Sequence, residues 1–135
     1  MARRATKRVK PLVLASLEAS MKAALAASQK KAEDIVVLDL RRVASFTDYF
    51  VICTGRSGRQ VQAISDQVEE ELRQAGRRPM HIEGYSNAEW ILLDYGDFIV
   101  HVFSPTARRF YDLERLWRDA EPVVLPRQEG DGTSR

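Results

Sequence analysis

The segment Trp90-Ile91-Leu92-Leu93-Asp94-Tyr95-Gly96-Asp97-Phe98-Ile99-Val100-His101-Val102-Phe103 decides how this chain is read. Two apolar runs, Trp90 to Asp94 and Phe98 to Phe103, flank the tight-turn signal Tyr95-Gly96 and predict a β-hairpin. Side chains alternate across a strand, so Trp90, Leu92 and Asp94 share one face while Ile91 and Leu93 share the other. If Ile91 and Leu93 face the helices, Trp90 and Leu92 need another cover, either a helix of the same domain or a partner. The wider stretch from Pro79 to Ala107 carries Glu83, Glu89, Asp94 and Asp97 among aromatic residues, with no Lys or Arg. Such a one-sign segment matches RNA phosphates poorly and a basic protein well. Opposite charge steers encounter, and large apolar groups anchor the contact.

Outward from the hairpin, Pro79 to Ile82 predicts a short edge strand, where proline is tolerated. Glu83 to Asn87 reads as a loop built on Gly84. Upstream, Val61, Ile64, Val68 and Leu72 form the apolar stripe of a helix that opens after Thr54-Gly55-Arg56-Ser57-Gly58 and stops at Gly76. Ile35 to Leu40 and Tyr49 to Thr54 are two strands with a short polar connection, which predicts antiparallel neighbours. Leu14, Leu17, Met21 and Leu25 recur at helical spacing and predict an amphipathic helix over 12–30. Ser104-Pro105 starts a last helix with Phe110, Leu113, Leu116 and Trp117 as its buried positions. From Pro122 the Pro- and Gly-rich end is expected to fray. The resulting class is α/β (α+β), a mixed sheet of about five strands flanked by helices.

The chain's 135 residues suffice for one domain, with a basic leader over 1–11, a folded unit over 12–120 and a tail over 121–135 as the expected division. Arg3, Arg4, Lys7, Arg8 and Lys10 crowd the leader; without them 16 basic residues face 19 acidic ones, a net of −3. The formal +2 therefore belongs to the leader. A lone cysteine, Cys53, sits in an apolar run and reads as a buried inert thiol. No segment approaches the ~18 apolar residues of a membrane span. A reducing, cytoplasmic setting is expected.

Catalytic motifs are scarce. Thr54 to Arg59 resembles a phosphate-cradling loop, yet neither G-x-x-x-x-G-K nor G-x-G-x-x-G is present, and a serine-capped helix entry accounts for the same residues. Nucleotidyl transfer needs carboxylates converging on a divalent metal. Asp39 stands alone on its strand, Asp94 and Asp97 lie across a turn, and no D-x-D occurs. His81 and His101 lack the closely spaced partners of a metal site; His101 reads as a hydrogen-bonded structural histidine. No cofactor is expected. Arg108-Arg109-Phe110-Tyr111 and Arg115 to Arg118 interleave cations with aromatics, but a helix would bury much of that stripe, so RNA binding stays a rival reading.

Asp34 to Asp39, Asp48 to Gly55 with Ser57 and Gln60, Glu83-Gly84, Trp90 to Asp97, His101 to Phe103 and Arg109 to Trp117 together resemble the ribosomal silencing factor family, also called Iojap or RsfS. That resemblance implies a nucleotidyltransferase-like fold without catalytic residues, and no enzyme activity. It implies binding to the large ribosomal subunit through its L-fourteen ribosomal protein, steric exclusion of the small subunit, slower protein synthesis under nutrient limitation, and homodimers in some members. In that setting Trp90 and Leu92 become apolar anchors, Tyr85 and Tyr111 their neighbours, and Glu83, Asp94 and Asp97 the acids that meet Lys or Arg. The rivals are a metal-dependent nucleotidyltransferase and an RNA-binding ribosome assembly factor.

Overall fold

A computed structural model of the chain describes residues 15–126. The basic leader and the chain end beyond 126 lie outside the described residues. Helix α1 (Ser16–Gln29) is followed by β1 (Glu33–Asp39), β2 (Tyr49–Thr54), α2 (Gly58–Gln74), β3 (His81–Glu83), β4 (Trp90–Asp94), β5 (Phe98–Phe103), α3 (Pro105–Tyr111), α4 (Leu113–Leu116) and β6 (Glu121–Pro122). The strands form one mixed sheet in the order β3-β4-β5-β2-β1-β6. The two expected antiparallel pairs form, with Leu38 opposite Phe50 and Leu92 opposite His101. Between them β2 runs parallel to β5, with Ile52 beside His101, and every residue of β2 is buried.

The sheet has six strands rather than about five. The sixth forms where the sequence predicts fraying: Glu121 and Pro122 pair with Asp39 and Leu38, and Val123 N donates to Val37 O at 2.8 Å. Proline is compatible because β6 is an edge strand.

One sheet face is covered by α1 and α2. The α2 stripe Val61, Ile64, Val68 and Leu72 is fully buried, as its spacing predicts. In α1 the buried side is made of Ala19, Ala23, Ala26 and Ala27, while Leu17 and Leu25 remain 41% and 42% exposed. Small side chains let α1 approach its neighbours closely, and the longer leucines are left at the rim. Cys53 is fully buried on this face, and burial pushes its thiol up to about 12.

The opposite face is covered more sparingly. Leu38, Leu40, Phe50, Ile52 and Phe103 pack there against Ala107, Leu113 and Ala120. The expected single helix after Ser104 is two short ones, because Asp112 adopts a left-handed conformation (φ 47°). This break shifts the helical phase. Leu113 is buried and Trp117 half-buried, but Phe110 and Leu116, expected in the core, are 77% and 71% exposed.

The glycine-serine loop before α2 is a capped helix entry. Ser57 Oγ accepts from Gln60 N at 3.1 Å, and Gln60 Oε1 accepts from Arg56 N at 2.7 Å. Gln60 Nε2 also donates to the carbonyls of Lys30 and Lys31, tying the entry of α2 to the end of α1. Ser57→Ala is expected to cost about 1 kcal/mol, the usual worth of such a cap, read as a lower urea midpoint at unchanged slope.

Candidate functional site

The alternation expected on β4 is realised: Ile91 and Leu93 are fully buried under the helices, and Trp90, Leu92 and Asp94 are half-buried on the other face. The antiparallel register sets Trp90 beside Phe103 and Leu92 beside His101. The Trp90 indole packs 5.0 Å from the Phe103 ring and 4.5 Å from Tyr111, measured between centroids. Its Nε1–H donates to His101 Nδ1 at 3.1 Å. Helix α3 thus supports the indole from one side through Tyr111 and does not enclose it.

His101 is only 3% exposed, against Phe50 at 4.5 Å and Trp90 at 5.9 Å between ring centroids. Accepting at Nδ1 places the proton of the neutral ring on Nε2, which has no hydrogen-bond partner. Burial disfavours the cation and pushes the ring down to about 3. The unfolded chain then binds a proton near pH 6.5 that the folded chain refuses until about 3. Stability is therefore expected to fall as pH drops through that window, by at most about 1.4 kcal/mol per pH unit from this group. His101→Gln should flatten that slope in pH-dependent urea unfolding; an unchanged slope would assign the acid sensitivity to other groups.

The remaining acids and aromatics divide by position. Glu83 pairs with Leu92 in the β3–β4 register and shares its face. Asp94, at the far end of β4, accepts from Gly96 N at 2.8 Å and so braces the hairpin turn. Asp97 is ion-paired to Arg77, whose guanidinium lies 5.2 Å from the centroid of the Phe98 ring. Tyr85 leans toward α2: its hydroxyl donates to Asp66 at 3.0 Å, and Gln62 donates to its carbonyl at 2.9 Å. The structure therefore unites Trp90, Leu92, Glu83 and Tyr111 on one open face, with Asp94 at its margin. Tyr85 and Asp97 sit apart from that cluster.

Sequence reasoning left out Phe103 and the contact His101 makes with the indole. Both were within reach, since the Tyr95-Gly96 turn sets a register that pairs Trp90 with Phe103.

The carboxylates that nucleotidyl transfer would need do not converge. Asp39 is held by Arg41 at 2.8 Å on β1, and two strands separate β1 from the β4 that carries Asp94, a span of about 14 Å. Among the described residues, no group of three or more His, Cys, Asp or Glu is placed to hold a metal ion, and no helix is long and apolar enough to cross a membrane.

The fold and this face define an α+β domain with one helix-covered sheet face and one face left partly open around an oriented indole. Residues 14–135 match the family model described as "Ribosomal silencing factor during starvation". The chain is 44% identical over 98 residues to the ribosomal silencing factor RsfS of Bacillus subtilis, covering 73% of this chain and 83% of that one. It is 40% identical over 103 residues to the chloroplastic protein Iojap of Zea mays, covering 76% of this chain and 45% of that one. A crystal structure of a Chromobacterium violaceum protein superposes with a TM-score of 0.76 at 33% identity, covering 90% of this chain and all of the other. One from Bacillus halodurans gives 0.72 at 38%, covering 82% and all of it.

The chain belongs to the ribosomal silencing factor family, whose role is regulatory.

Proposed function

We propose that this protein binds the large ribosomal subunit through its L-fourteen ribosomal protein and blocks joining of the small subunit by occupying the space between them. The observation that carries this reading is the open sheet face, where Trp90 is half-buried and fixed by His101, Phe103 and Tyr111 beside Leu92 and Glu83. An indole already held in one rotamer loses little entropy on docking, and a cationic protein surface complements the acids around it. Glu89, whose Oε1 accepts from Ser104 Oγ at 2.7 Å, lies next to Trp90 in the chain and adds to the acidic rim. Of the acids expected to meet the partner, Glu83 and Asp94 stand closest to the indole, while Asp97 must exchange or share its Arg77 pairing. No bond is made or broken: the mechanism is steric. The reading includes action in the cytoplasm and self-association as a homodimer.

The direct test mixes dissociated ribosomal subunits with increasing amounts of the chain. Joined particles should decline on a sucrose gradient while the chain travels with the large subunit. Undiminished joining at saturating protein would reject occlusion.

A further inference from the structure

The two short helices α3 and α4 carry a second set of exposed side chains, basic where the Trp90 face is acidic. From Pro105 to Arg118 the exposed side chains include Arg109, Phe110, Tyr111, Arg115, Leu116 and Arg118. Within that stretch Asp112 and Glu114 are half-buried, and Glu114 is engaged by Arg108 at 3.2 Å; the nearest exposed carboxylate in the chain is Asp119, after Arg118. Phe110, at 77% exposure, packs edge-on against Tyr111 at 4.9 Å, and Tyr111 stands 4.5 Å from Trp90. A run of rings thus links an acid-rimmed face to an arginine-lined one.

We infer that the α3–α4 surface around Phe110, Arg109, Arg115 and Arg118 binds unpaired RNA. Arginine supplies phosphate contacts, and both guanidinium and phenyl planes accept stacked bases. Stacking requires a base whose face is free, which an A-form duplex hides, so the occupant is single-stranded or looped RNA. Two adjoining patches of opposite sign fit a site where a cationic protein borders RNA. The inference rests on the ribosomal reading above and adds a second partner to it.

The test uses the full chain and a labelled single-stranded RNA of about a dozen mixed-sequence nucleotides, with a duplex of equal length as comparison. The basic leader is present in every variant, so differences between variants report on the α3–α4 surface alone. Phe110→Ala should weaken single-strand binding about tenfold, the worth of one stacked base, with an unchanged melting temperature because the ring is exposed. Replacing Arg109, Arg115 and Arg118 by Gln should reduce the slope of log affinity against log salt by about 2. Leu92→Glu, a change on the open face that leaves the Trp90–Tyr111–Phe110 run of rings in place, should leave RNA binding intact while weakening large-subunit binding, so failure of the protein-binding proposal and failure of this one are told apart. Equal affinity of parent and Phe110→Ala, or equal affinity for duplex and single strand, would overturn the inference. So would a Phe110→Ala protein that binds RNA normally but has lost the large subunit, which would make the surface a protein contact.

Discussion

Trp90→Glu is expected to lower large-subunit binding by about a hundredfold or more, the range of a central aromatic anchor. Three costs combine. The apolar area of the indole leaves the interface. A carboxylate arrives on a face already carrying Glu83 and Asp94. The ring is also lost from its stack on Phe103 and Tyr111, and His101 Nδ1 loses its donor. The third cost falls on the fold itself, about 1–3 kcal/mol of stability, because a buried acceptor is stranded and ring packing is lost. Trp90→Phe separates the effects: it keeps a ring between Phe103 and Tyr111 and brings no charge, while removing the N–H and part of the apolar area. That variant should retain most of the affinity. A folded Trp90→Glu protein that co-sediments normally with large subunits would reject the open face as the binding surface.

The largest effect expected on stability comes from Gly84→Ala. Gly84 sits at φ +82°, and a Cβ there would lie 2.0 Å from the carbonyl oxygen of Trp90. The obstacle is backbone, so no side chain can swing aside to relieve it. Left-handed strain and overpacking together predict a loss of about 2–5 kcal/mol. Because the displaced carbonyl belongs to Trp90, the damage reaches the candidate site: β3 should lose its pairing with β4, and large-subunit affinity should fall in parallel. Urea unfolding measures the first loss and amide hydrogen exchange at Ile82 and Glu83 the second. Gly58→Ala is the contrast, since its Cβ would meet only Ala88 Cβ at 3.4 Å, an ordinary contact. A Gly84→Ala protein with the urea midpoint of the parent would show that the loop yields without strain.

Much of the fold is legible because local rules and tertiary packing agree. The 3.6-residue stripe of α2 and the two-residue alternation of β4 place Val61, Ile64, Val68, Leu72, Ile91 and Leu93 in the core, where the structure has them. The misreadings share a cause. In α1 the leucines mark an apolar stripe, but the side that packs on the sheet and α2 is built from small residues, Ser20 and alanines. In the C-terminal segment the periodicity assumes an unbroken helix, and one left-handed residue, Asp112, divides it, so that Phe110 and Leu113 no longer share one helix face and Ala107 and Leu113 are the buried residues of the two short helices. For β6, pairing comes from a strand some eighty residues away, which no local signal at Glu121-Pro122 announces.

The candidate site divides in the same way. Trp90 and Leu92 share a face because strand alternation follows from short-range sequence, whereas Glu83, expected to open a loop, joins them because β3 extends through it to pair with Leu92. Tyr111 reaches the indole through a helix after β5, and Tyr85 and Asp97 are drawn away by Asp66 and Arg77. Those attachments depend on long-range neighbours.

By itself the sequence determined the hairpin, the sidedness of Trp90 and the acid-rich, cation-free segment around it, since each depends on backbone geometry over a few residues. The tertiary structure alone decided how far that face is covered and that a basic aromatic surface opens beside it. Coverage is set by which distant segments pack across the sheet, and the exposure of Phe110 by the docking of α3 through Ala107 on the other side of that helix.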